Sequence, residues 1–144
     1  MTRLVARWTD WSGAGLEHLV LTRDADMVTA EAVVIAGGED AFAARYRIAC
    51  DSEWRVREAD VNIIGGHVLA LRADGEGHWT DSRGTPLGDL DGAIDIDLSI
   101  SPFTNTLPLR RLGLALGQAA DLAVAYVAFP DLALTLDRQR YTCL

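Results

Sequence analysis

Phe42, Ala44, Tyr46, Ile48 and Cys50 alternate with Ala43, Arg45, Arg47 and Ala49, a period of two that a helix cannot use and a half-buried strand needs. Weaker alternation runs through residues 16–22, 27–35, 67–73, 94–100, 122–129 and 132–141. The breaks between these runs carry turn chemistry, as in Gly13-Ala14-Gly15, Asp24-Ala25-Asp26, Gly37-Gly38, Gly65-Gly66, Asp74-Gly75-Glu76-Gly77 and Pro130-Asp131. Between Trp54 and Ile64 the parity slips: Trp54 and Val56 share one face, whereas Ala59, Val61 and Ile63 fall on the other. A bulge near Glu58 would keep all five inward. The one helical candidate is residues 107–120, where Pro108 suits a first turn and Gly113 and Gly117 weaken the interior. The pattern predicts a mainly β chain with at most one short helix. Its long antiparallel meander must curl into a barrel, a half-barrel or a sandwich to hide its edges.

The 144 residues suit one domain with a proper core. With no apolar run behind a basic start and no long apolar stretch, the expectation is a soluble, cytoplasmic protein without an integral membrane segment. Cys50 and Cys143 lack CxxC spacing and read as two reduced thiols. A net charge of -8 repels phosphate backbones and anionic lipid surfaces, which argues against nucleic acid as a partner. All 13 basic residues are arginine, so Schiff-base chemistry on lysine is excluded.

Candidate chemistry concentrates between Asp89 and Leu112. Asp95 and Asp97 sit two apart on a strand, hence on one face with α-carbons roughly 6.5–7 Å apart, a separation a glycosidase pair could use; a solvated strand face explains them equally. The acids of DLDGAIDID lack the ligand pattern of a calcium loop, and His18, His67 and His78 have no metal-ligand spacing. No serine lies in a GxSxG elbow, and neither Gly-Gly pair precedes a lysine in a phosphate loop. No metal and no cofactor is therefore expected. Ile94, Ile96, Leu98 and Ile100 are assigned to the interior, Asp95, Asp97 and Ser99 to the opposite face, and Pro102 ends the strand because it has no N–H for the ladder. The loop that follows holds Thr104, Asn105, Thr106, Arg110 and Arg111, groups able to hydrogen-bond a sugar or phosphate head. The alternative is that Asn and Thr cap their own backbone while the arginines pair with Asp95 and Asp97. Residues 122–129, with Tyr126 among them, are apolar on both faces, as in a doubly covered central strand or one lining a cavity. The four tryptophans, Trp8, Trp11, Trp54 and Trp79, are read chiefly as core.

The stretch LDGAIDIDLSISPFTNTLPLRRL resembles the signature of the bacterial glycolipid-binding protein family, and the similarity continues in VAYVAFPDLALTLDRQRYT. Trp8, the Gly15-Leu16-Glu17 step and DSEWRVR from Asp51 to Arg57 resemble it in the same order. The resemblance implies an antiparallel sheet wrapped into an incomplete barrel, similar to carriers of lipidated proteins in the bacterial envelope, with an apolar interior suited to a lipid tail. Two departures stand out: Ala93 occupies a position where a cysteine is expected, and the chain ends at Leu144, where relatives continue through further sheet. The expectation is thus one domain over residues 1–144 that lacks the last strands, leaves an edge at residues 132–141 and forms a homodimer. The function expected is noncatalytic binding or carriage of an amphipathic small molecule, a glycolipid, with Asp95, Asp97, Thr104, Asn105, Arg110, Arg111, Tyr126 and Leu134 contacting it and no catalytic residue. The alternatives are a glycoconjugate hydrolase using Asp95 and Asp97, and a self-associating interaction module.

Overall fold

The computed structural model describes residues 1–144. Strands β1 (Thr2–Thr9), β2 (Leu16–Arg23), β3 (Met27–Ala36), β4 (Phe42–Asp51), β5 (Val56–Ile63), β6 (Val68–Ala73) and β7 (Trp79–Thr80) form one seven-stranded antiparallel sheet in chain order. Turn residues set the hairpins: Asp24 Oδ1 accepts from the backbone N–H of Asp26 and Met27 between β2 and β3. At the β4–β5 corner Asp51 Oδ1 accepts from Glu53 and Arg55 N–H, and Trp54 adopts a positive φ of 66°. The parity slip has its physical counterpart here. Ala49 pairs with Glu58 and Cys50 with Val56, so Arg57 is the extra residue of a bulge. Trp54, Val56, Ala59, Val61 and Ile63 are all buried as a result.

The meander then ends, and the rest of the chain departs from the expected continuous antiparallel order. Strands β8 (Asp95–Leu98), β9 (Ala119–Ala128) and β10 (Ala133–Thr142) form a second sheet ordered β10-β9-β8, in which β8 and β9 run parallel. A parallel pair needs a crossover, supplied by a 3-10 turn over Pro102–Asn105 and helix α1 (Thr106–Leu112). The helix is shorter than its pattern suggested because Gly113 takes the left-handed conformation, φ 55°, and caps it.

The inner faces of the two sheets share one apolar core: Leu19, Ala32, Tyr46, Ile48, Val61, Leu71 and Trp79 from the first meet Ile96, Leu98, Ala125 and Val127 from the second. The Trp79 indole N–H donates to the Ala93 carbonyl at 2.8 Å, tying the end of the meander to the segment before β8. β9 is the central strand of its sheet, with both Val124 and Ala125 buried, which accounts for its two apolar faces. The seven-stranded sheet is not closed: β1 and β7 are its two edges and do not pair with each other. No helix is long and apolar enough to cross a membrane.

Candidate functional site

β2 lies between the edge strand β1 and β3, and its alternation places Glu17, Leu19 and Leu21 on the inner face. Glu17 is therefore an acid at a core position, paired across the ladder with Trp8 on β1 and Val34 on β3, and only 4% exposed. Its Oε1 accepts two hydrogen bonds, from the Tyr46 hydroxyl and, at 2.8 Å, from the Ser101 hydroxyl. Tyr46 comes from the first sheet. Ser101 comes from the exit of β8, where its Oγ also accepts the Phe103 N–H at 3.1 Å and caps the 3-10 turn. Each hydroxyl has one proton, and both are directed to Oε1. Oε2 is buried and has no partner. A buried acceptor without a donor is costly, and such groups concentrate where a protein does something with them. Burial pushes the Glu17 carboxyl above the ordinary carboxylate range, against the two hydroxyl donors, which favour the anion.

Glu17 forms part of the floor of a cleft of about 420 Å³ between the two sheets. Trp8, Val34 and Phe42 of the first sheet and Ile100, Phe129 and Pro130 at the exits of β8 and β9 supply apolar walls, and Phe42 stacks on Phe129 with ring centroids 6.0 Å apart. Asp10 and Asp40 are the other charged lining residues; no arginine or histidine reaches the cleft. Two glycines permit the rim to close. A Cβ on Gly15 would stand 2.7 Å from Asp10 Oδ2, and one on Gly37 would stand 2.6 Å from the Ala14 Cβ.

The residues singled out between Asp89 and Leu112 fall into separate places. Asp95, expected on a face away from the interior, is completely buried: α1 lies over it, and Arg111 grips it with Nε to Oδ1 at 3.2 Å and Nη2 to Oδ2 at 2.6 Å. Arg110, on the same helix, stands over the Trp54 ring at 5.9 Å. Asp97 accepts from the Thr104 hydroxyl at 3.2 Å and from the Gln139 amide at 2.7 Å, while the Tyr141 hydroxyl bridges Asn105 and Gln139. Asp97, Asn105 and Tyr126 border a shallow hollow that shares Ile100 and Pro102 with the Glu17 cleft. Leu134 packs on the core beside Leu87 and Leu90, away from both. The structure thus brings Asp97, Thr104 and Asn105 into one network, joins Arg111 to Asp95, and leaves Arg110 and Leu134 elsewhere. A wider groove of about 650 Å³ runs along Arg111, Arg138 and Arg140, but there Arg111 is held by Asp95 and Arg140 by Asp121.

Residues 5–144 match the model of the family described as "Putative glycolipid-binding". The chain belongs to this family. A crystal structure of a DUF1089 family protein from Pseudomonas aeruginosa is 38% identical to this chain with a TM-score of 0.77, covering 95% of this chain and 75% of that one. Among curated proteins none matches. For this member of the glycolipid-binding family, the resemblance singled out Trp8 and the Gly15-Leu16-Glu17 step without a role, and the geometry places all four residues in one cleft. Phe42 and Tyr46 had no sequence signal beyond parity, while Ser101 and Phe129 lay within the stretches that resemble the family but carried no role. The available cue for Glu17 was an acid on the same strand face as Leu19 and Leu21.

Proposed function

We propose that the protein binds an amphipathic ligand of the glycolipid class, without catalysis, in the cleft between the two sheets. One observation carries this reading: a cleft of about 420 Å³ has aromatic walls and a buried carboxyl on its floor. Ligand pockets combine these features, a mostly apolar lining of about 300–1,000 Å³ with a few convergent polar groups. The family description agrees with it. Hydrolysis through Asp95 and Asp97 fits the geometry less well, because both oxygens of Asp95 are taken by Arg111 and no substrate can reach them. The apolar part of the ligand lies against Trp8, Phe42 and Phe129. A larger head extends toward Asp97, Asn105 and Tyr126 across the shared Ile100 and Pro102.

Trp8 in the wall is the reporter. In a fluorescence titration with alkyl glycosides of increasing tail length, each further methylene buried should add about 0.8 kcal/mol, roughly fourfold in Kd, until the cleft is filled. The response should be lost in Trp8→Phe. Affinity independent of tail length contradicts the reading.

A further inference from the structure

The cleft's polar groups constrain the head it can accept. Tyr46 pairs with Ala32 and Val61, deeper in the sheet than the lining residues Val34 and Phe42. Together with Ser101 it secures Oε1 from the core side. Oε2 is the remaining acceptor of the carboxyl, and nothing in the protein donates to it. The other charged lining residues are Asp10 and Asp40, so the cleft is lined by three acidic residues and no basic one. A phosphate or sulfate placed here would meet like charge without an arginine to offset it. A hydroxyl, in contrast, completes the hydrogen bonding of the floor.

We infer that Glu17 is a specificity-determining residue whose Oε2 accepts a hydrogen bond from a hydroxyl of an uncharged, sugar-like head, and that the cleft rejects anionic heads. This inference rests on the amphiphile-binding reading above and narrows its ligand class. It also separates the arginines of α1 from head-group recognition, since Arg111 is committed to Asp95 and Arg110 to Trp54.

The test uses three amphiphiles with the same alkyl chain: an alkyl glucoside, an alkyl sulfate, and an ether-headed analogue that has no donor. The whole chain and Glu17→Gln are titrated with each by calorimetry. The wild type should bind the glucoside about tenfold or more tightly than either of the others, the usual scale for a charge-assisted hydrogen bond in a water-poor site. Glu17→Gln should lose about tenfold for the glucoside, gain affinity for the sulfate and retain the ether-headed probe, whose binding also shows that the variant is folded. Equal affinity of the wild type for all three heads, or an unchanged glucoside Kd in Glu17→Gln, overturns the inference and leaves the amphiphile reading standing. If none of the three binds the wild type, both fall together.

Discussion

At the scale of single residues, the two buried acids have opposite relations to the fold. Asp95 is matched: Arg111 meets both of its oxygens in a pair whose side chains are 0% and 20% exposed. Removing one partner leaves a buried charge, so Arg111→Ala should cost about 3–5 kcal/mol in urea unfolding. Replacing both together, Asp95→Leu with Arg111→Met, should recover most of that loss. A small loss in Arg111→Ala would show that the pair is not shielded as described. Glu17 is unmatched, and burial raises its pKa from the ordinary 4.5. A raised folded pKa means that the folded state holds the proton longer. The stability associated with protonated Glu17 is thus fully present below 4.5 and is lost as pH rises through the folded value. Glu17→Gln should be more stable than the wild type near neutral pH, and the difference should vanish below that value; thermal melts across the acid range measure it. Stability gained where ligand affinity is lost is the signature of a residue kept for function. A Glu17→Gln protein less stable than the wild type at neutral pH would argue that the carboxyl serves the fold instead.

At the scale of elements, β8 shows what alternation can convey. Parity placed Ile96 and Leu98 inward, and both are buried. Ile96→Ala should therefore cost about 2–5 kcal/mol. Asp97→Asn, at a half-buried position whose partners are Thr104 and Gln139, should stay within about 1 kcal/mol. Equal shifts in chemical denaturation would refute the assignment of faces. Parity also said that Asp95 lies opposite Ile96, but it could not say whether that face is covered; α1, eleven or more residues further along, decides it. The hairpins of β2 to β6 were legible because their turn residues and pairing partners are close in sequence. The β8–β9 pairing was not, since alternation names faces rather than neighbours and a parallel partner is distant. Strand β1 escaped notice because it is an edge strand, largely exposed on both faces, so its sequence has little reason to alternate.

At the scale of the whole molecule, the cleft arises from the way a short second sheet covers a long first one. β8 to β10 bury the middle of the meander, and the ends of β1 to β4 project beyond them, leaving Trp8, Glu17, Val34 and Phe42 facing Phe129 and Pro130 across an open mouth. Its lining comes from four strands and four connecting segments, which is why the long motif between Asp89 and Leu112 pointed to the family but not to this place. In that motif only Ile100 and Pro102 touch the cleft directly, while Ser101 reaches it through Glu17. The central claim is the location of the ligand, and amide chemical-shift mapping of the labelled protein titrated with an alkyl glucoside tests it most directly. The account predicts progressive shifts centred on Gly15, Glu17, Val34, Phe42, Ile100 and Phe129. Shifts centred instead on Arg138 and Arg140 in the wider groove of the second sheet, or none at saturating glucoside, would contradict it.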